Sequence, residues 1–401
     1  MTQADSSYPL AGLKVLDLSR VLAGPFAGRM LSDLGADVIK IEPPDGDMTR
    51  LWGKVVAGLS GYYQQQNAGK RNICVDLRAP GAVALMLDLA RQADILIENY
   101  RGDVMGRLGL GYDVLSAANP GLIMLSISGF GKDGPEARRA AYAPIIHAET
   151  GLLLRIARQT GQPLVDQPLT VADTNAGLHG LVAVLAAVIM RARTELGQHI
   201  DMAMIDAMMV TDDQAHFDLE ASRETMGISA GIWQTGAGPI LIASDFRLLW
   251  RQLVEHCGVA DPVTDGMDQA ARIAARRAAA TIFFAKLADW AAIEAATALM
   301  NLPWGEVRSG TDLADQKTVI HRSSIAIIDD RAGGTRPLPQ SPYRFSQANS
   351  GVRGPAPHRG EHNAEALSDW LGLSQEAISV LRAQGVLEAD NWAEAKQAIA
   401  P

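Results

Sequence analysis

The segment VADTNAGLHG, residues 171–180, carries one carboxylate and no neighbour able to activate it. A Ser or Thr nucleophile needs an adjacent base, whereas a carboxylate is ionised at neutral pH unaided, so Asp173 can attack a carbonyl carbon alone. The apolar run LVAVLAAVIM follows directly, which places Asp173 where a helix is expected to begin. Asp is also a favoured N-cap, and Asp173 reads as a cap as readily as a nucleophile. The small residues Ala172, Ala176 and Gly177 suggest clearance for a bulky ligand, and the amides of a helix start favour an anion. His179 reads as a packed residue rather than a base.

Other motifs carry less chemistry. GFGKDG (129–134) is a literal G-x-G-x-x-G after a strand, but Pro135 follows at once and no helix pattern begins. A dinucleotide site needs that helix, whose amides meet the pyrophosphate, so the segment reads as a Gly-rich turn. No Walker A sequence, GxSxG elbow or HExxH occurs. The eight histidines do not pair with the two cysteines, Cys74 and Cys257, and no metal site is expected. Neither cysteine has a histidine beside it in sequence to activate it.

The first 130 residues, which must hold Asp173 in place, alternate regularly. KVLDLS (14–19), ADVIKIE (36–42), NICVDL (72–77), DILIENY (94–100) and LIMLSISG (122–129) read as near-continuous apolar strands. GPFAGRMLSDLG (24–35) and PGAVALMLDLARQA (80–93) read as the helices between them, the second with Pro80 in its first turn. This pattern implies βαβ units around a Rossmann-like parallel sheet buried on both faces, an α/β fold. HIDMAM (199–204) adds a strand after the Asp173 helix. Texture changes near residue 225, and 225–325 is expected to form a smaller α+β domain after a large domain over 1–224. The Gly/Pro-rich stretch 331–363 reads as disordered or held by a partner surface. Two short helices then end the chain within 326–401.

A chain of 401 residues exceeds one ordinary core. Its 48% hydrophobic content, 20% charged content and net charge of −9 fit a soluble globular protein and exclude a general nucleic-acid or anionic-membrane binder. The N-terminus shows no signal-peptide pattern, the longest apolar run has ten residues, and two distant cysteines fit a reducing compartment. A cytoplasmic location is expected.

The chain resembles the family III CoA-transferases, the group that includes formyl-CoA transferase, carnitine CoA-transferase and, divergently, α-methylacyl-CoA racemase. The resemblance is carried by LAGLKVLDLSRVLAGPFAGRMLSDLGADVIKIEPPDGDMTR, NAGKRNICVDLR, ADILIENYRGDVMGRLGLGYDVL, ISGFGKDGP, VADTNAGLHGL, ELGQHIDMAMIDAM and APHRGEHNAEAL, and so spans nearly the whole chain. It implies that Asp173, in D-x-N-x-G-x-H, attacks an acyl-CoA thioester. An acyl–aspartyl anhydride and then an aspartyl–CoA thioester would follow, with CoA delivered to a free carboxylic acid. Coenzyme A would be a substrate, with no cofactor tightly bound.

The resemblance also implies CoA contacts at Leu22 and Ala23, at Val75, Asp76, Leu77 and Arg78, at Asn99, Tyr100, Arg101 and Arg107, and at Tyr142. Arg107 reads as a phosphate partner, since a guanidinium binds phosphate bidentately, with a solvated helix charge as the alternative. Formyl-CoA transferase has basic residues where this chain has Pro43 and Ala140. It also has a run of glycines that does not appear between Ala221 and Gly238, which disfavours oxalate and formate; a small organic acid with a succinyl-CoA-like donor is the preferred expectation. Arg155 and Arg158 read either as partners of a second carboxylate or as exposed helix charges. The racemase branch needs a histidine where Tyr142 stands, and a phenol is a poor proton shuttle at neutral pH. His147 lies five residues along and is expected to face elsewhere. A racemase and a non-catalytic acyl-CoA-binding protein remain the alternatives. The resemblance further implies an interlocked homodimer, with a large domain built from both chain ends and 331–363 as the return linker.

Overall fold

The computed structural model describes residues 7–222 and 230–390. The chain forms two compact units, Met1–Ala215 with His321–Pro401, and His216–Ile320. The expected boundary at residue 225 falls outside the described residues.

The first unit is built on seven strands: β1 (Lys14–Asp17), β2 (Asp37–Glu42), β3 (Arg71–Val75), β4 (Ile95–Glu98), β5 (Ile123–Ser128), β6 (His199–Ala203) and β7 (Leu387–Glu388). Their order is β7-β3-β2-β1-β4-β5-β6. All neighbours are parallel except β7 against β3, where Leu387 faces Val75. The order reverses between β1 and β4, and the gap outside the carboxyl ends of such strands is where doubly wound sheets hold their ligands.

The strands read as unbroken apolar runs because both faces are covered. On one face Leu16, Ile39 and Ile73 pack under Leu85 and Leu89 of α2 (Ala82–Gln92) and under Trp370. On the other, Val15, Ile95 and Leu125 pack under Ala27 and Leu31 of α1 (Ala23–Asp33) and under Leu181 and Val184 of a long helix, Val171–Thr194. Pro80 lies outside α2. Gly81 precedes the helix with φ of 91°, so the chain closes a turn there before helical geometry starts.

Both chain ends enter the same sheet. Helices Asn363–Leu371 and Gln375–Ala383 lead into β7. The 331–363 stretch is not disordered: it is seated on its own chain. The Ala356 amide donates to Gln64 Oε1 at 2.7 Å, the Gly360 amide to Asn72 Oδ1 at 2.6 Å, and Arg331 pairs with Glu361 at 2.6 Å. Strand Thr335–Pro339 within it pairs with Ile325–Asp329.

The second unit is a three-stranded antiparallel sheet, Ala230–Gln234, Pro239–Ala243 and Trp304–Glu306. Trp233, Ile240 and Ile242 form its core with Leu249, Phe284 and Ile293, from helices Phe246–Cys257, Gln269–Ala285 and Trp290–Met300.

Candidate active site

The turn from β1 into α1 is fixed from beneath by charges with no access to solvent. Lys70 lies 2.6 Å from Asp17 and donates to the Pro25 carbonyl at 2.8 Å and to Asn67 Oδ1 at 2.9 Å. Lys40 donates to the Ser19 carbonyl at 2.8 Å and sits 3.3 Å from Asp47. Burial alone would raise the Asp17 carboxyl, but Lys70 and Lys40 outweigh it and hold the group below its ordinary range. Burial pushes Lys70 down to about 8 against the pull of Asp17. The turn stores strain, because Val21, a β-branched residue, has φ of 67°. Its amide donates to Asp47 Oδ2 at 3.1 Å, which helps to hold that conformation. Asn99, just after β4, ties the two sides of the switch point together. Its Oδ1 accepts from the Arg20 amide and its Nδ2 donates to the Arg20 carbonyl, both at 2.7 Å.

Asp173 lines the cavity at this gap. Its helix begins at Val171 after Thr170, so Asp173 lies in the first turn and is not the cap; Thr170 makes no side-chain cap either. The carboxylate turns away from its own amides. Oδ2 accepts from the Ala143 amide at 3.2 Å, and the Ala23 amide lies near enough to favour the ionised form. Ala143 opens α4 (Ala143–Glu149), which lies beyond the short α3 (Val104–Arg107), and Ala23 opens α1. The Asp173 helix is α6 here, after α5 (Leu152–Thr160). Thus three helix N-termini converge on one carboxylate, which each of their dipoles favours as an anion. Desolvation nevertheless wins: burial pushes Asp173 up to about 6, against the Ala143 and Ala23 amides. The group is still mainly ionised at pH 7.

The carboxylate faces a cavity of about 430 Å³ that also reaches Ala23, Asn99, Tyr100, Arg101, Arg107 and Tyr142. Leu22 is buried as the N-cap residue of α1, next to that lining. Arg107 is 69% exposed and pairs with Asp103 at 3.1 Å. Val75, Asp76, Leu77 and Arg78 do not line the cavity. Val75 ends β3 and the other three follow it, two strands beyond β1, where Arg78 pairs with Asp76 at 2.9 Å. GFGKDG is an irregular turn with Gly131 and Gly134 at φ near 90° and no helix after it.

Four readings change. Gly177 is not clearance for a ligand: a Cβ there would lie 2.7 Å from the Ala23 carbonyl and 3.0 Å from Phe26, so it lets α6 lie against α1. His147 does not face elsewhere: it is fully buried, and its Nε2 accepts from the Ala172 amide at 3.3 Å, one residue before Asp173. Arg155 is buried and grips both carboxylate oxygens of Asp212, so it is not an exposed helix charge. The apolar segment after Asp173 belongs to a 24-residue helix that is long and apolar enough to cross a membrane by length and composition. Here it packs on α1 and β5.

Sequence reasoning also missed Tyr62. Burial and the Asp173 carboxylate push its phenol up to about 12, so it remains an O–H donor close to the site, with its ring edge-on to Trp52 at 5.1 Å. Nothing local in the sequence distinguishes Tyr62 from Tyr63, since only the packing of 61–67 against α1 decides which one lies in the field of Asp173. Among the described residues no group of three or more His, Cys, Asp or Glu is placed to hold a metal ion.

Comparison with known proteins gives a consistent result. The model of CoA-transferase family III matches residues 10–363. The chain is 33% identical to succinate–glutarate CoA-transferase of Agrobacterium fabrum over 92% of this chain and 97% of that one. It is 29% identical to the beta subunit of succinyl-CoA–L-malate CoA-transferase of Chloroflexus aurantiacus, over 96% of this chain and all of that one. Over about half of each chain (52% and 54%) it is 41% identical to acetyl-CoA:oxalate CoA-transferase of Acetobacter aceti. The crystal structure of a CaiB/BaiF family protein from Brucella suis superposes with a TM-score of 0.77 at 32% identity, covering 91% of this chain and all of that chain.

Proposed function

The chain belongs to CoA-transferase family III, and on that premise we propose that it moves CoA from an acyl-CoA donor to a free carboxylic acid through covalent intermediates on Asp173. The observation that carries the proposal is one buried carboxylate at the switch point of the sheet, facing a cavity and accepting from the amide that opens α4.

The steps follow from the chemistry of that group. Asp173 attacks the thioester carbonyl, the C–S bond breaks, and CoA leaves as thiolate with the acyl group held as a mixed anhydride. The thiolate attacks the aspartyl carbonyl and expels the donor acid, leaving an aspartyl–CoA thioester. The acceptor carboxylate attacks that carbonyl and releases the thiolate, forming a second anhydride. Thiolate attack on the acceptor's carbonyl then yields the new acyl-CoA and restores Asp173. Three of these attacks either begin or end on the aspartyl group, and the two at its carbonyl place negative charge on an oxygen within reach of the Ala143 and Ala23 amides. Burial of the group limits the water that would hydrolyse anhydride or thioester.

Ala23, Asn99, Tyr100, Arg101, Arg107 and Tyr142 are the proposed CoA contacts in the cavity, with Leu22 beside them. Val75, Asp76, Leu77 and Arg78 are proposed for a more distant part of the long CoA molecule, farther along the same sheet edge. Small dicarboxylic acids with a succinyl-CoA-like donor fit the names of the first two relatives; oxalate, named in the third, belongs in the same test. Tyr142 in place of a histidine, and His147 with both ring nitrogens engaged, speak against proton transfer at the α carbon and hence against a racemase.

A homodimer is part of the proposal. Val182 and Ile189 on α6 are 63% and 65% exposed, and Leu164, Val165 and Leu169 just before it are also exposed. A run of apolar side chains of this extent is expected to be covered by a second copy.

The deciding experiment is CoA exchange between a panel of acyl-CoA donors and free acids, followed by mass spectrometry, with Asp173→Ala alongside. The variant should lose exchange and still bind CoA. Hydroxylamine added with acyl-CoA should convert Asp173 to a hydroxamate in the parent protein. Exchange at the parent rate in the variant would refute the assignment.

A further inference from the structure

The first turn of α6 lacks a cap of its own. Thr170 makes no side-chain hydrogen bond to the helix, and Asp173, which could have reached back to it, is turned toward α4. Helix starts leave amides without intrahelical partners, and a buried one left unmet is costly. The Ala172 amide, on a residue with no solvent exposure, is met by the His147 imidazole, Nε2 accepting at 3.3 Å. The other ring nitrogen, Nδ1, lies 2.8 Å from Asp166 Oδ1.

These contacts define a tautomer. Nε2 can accept from an amide only when it carries no proton, so the proton sits on Nδ1 and is donated to Asp166. His147 is on α4, and so is Ala143, whose amide donates to Asp173. The two helices therefore cap each other: α4 supplies the acceptor for the first turn of α6, and α6 supplies the acceptor for the first turn of α4. The exchange spans residues 143, 147, 172 and 173, and it clamps the catalytic carboxylate between two helix starts.

We propose that His147 is a positioning residue for Asp173, acting as the tertiary N-cap of the helix that bears the nucleophile, with Asp166 holding its ring in the accepting tautomer. The proposal rests on the reading of Asp173 as nucleophile. His147 itself touches no reacting atom. Its effect is to keep the Asp173 side chain aimed at the cavity, so it should govern turnover rather than CoA affinity.

His147→Leu keeps an apolar side chain of moderate size in a buried site but removes the acceptor. His147→Gln keeps a side-chain oxygen able to accept. The Leu variant should lose about ten-fold in kcat, with KM for acyl-CoA unchanged, and the Ala172 amide should exchange with solvent faster. The Gln variant should recover most of that loss, and Asp166→Ala should fall between the two. Parent-like turnover in the Leu variant, or equal losses in the Leu and Gln variants, would overturn the proposal. Asp173→Ala separates this from the nucleophile assignment. If it retains exchange, that assignment fails, and Ala172 amide protection in the Leu and Gln variants then judges the cap alone.

Discussion

Replacing Asp173 by Asn should abolish turnover and make the protein more stable. The carboxylate is 8% exposed, and burial raises it from 3.8 to about 6. A group whose folded-state affinity for protons exceeds its unfolded one costs stability wherever it is ionised in both states. Here that cost is present in full above about pH 6 and is relieved as pH falls through 6 toward 4. The rise corresponds to about 3 kcal/mol at pH 8. Asparagine carries no charge to desolvate and keeps an oxygen able to accept from the Ala143 amide, so the variant should gain most of this amount. With an unfolding entropy of roughly 2 cal/mol/K per residue, the gain is about 4 °C in Tm. Thermal unfolding of parent and variant at pH 5, 6, 7 and 8, together with CoA exchange on the same preparations, measures it. The gap should widen from pH 5 to pH 8, and the parent's activity should fall on the acid side near pH 6. A gap that is absent, reversed or independent of pH would refute the claim that burial dominates the charge of Asp173.

Two further predictions test the frame around the site. Gly177→Ala places a Cβ 2.7 Å from the Ala23 carbonyl, so α6 and α1 must separate; the expected cost is about 1–3 kcal/mol, read as a lower Tm, with a raised KM for acyl-CoA because Ala23 lines the cavity. Sedimentation at decreasing concentration should find a dimer, and Val182→Asp, at a position 63% exposed in the single chain, should weaken it; a stable folded monomer of the parent protein would refute the homodimer.

The covered sheet was legible residue by residue. KVLDLS, ADVIKIE and LIMLSISG are apolar at consecutive positions because Val15 and Leu16 face opposite, equally dry layers, and no half-exposed strand tolerates that pattern. The strand written HIDMAM was also readable, and it joins the far edge of the sheet at β6. Helix starts were less legible. Asp173 and Pro80 both read as punctuation, yet one helix begins two residues before Asp173 and the other begins after Gly81. Capping depends on which acceptor is nearby in space, and for α6 that acceptor comes from residue 147.

Residue type alone established that Asp173 can be a nucleophile without a base, and the local pattern placed it near a helix start. Only the tertiary structure decided its state and its partners. From separate segments the chain brings the Ala143 amide onto it, His147 onto the amide before it and Tyr62 into its field, and none of these approaches leaves a periodic or compositional trace. Hydrophobic patterning is a property of neighbours along the chain, so strands and helices can be read from it. The proton affinity of a carboxylate depends on the water removed and the dipoles gathered around it, and those are set by segments that meet only when the sheet has formed.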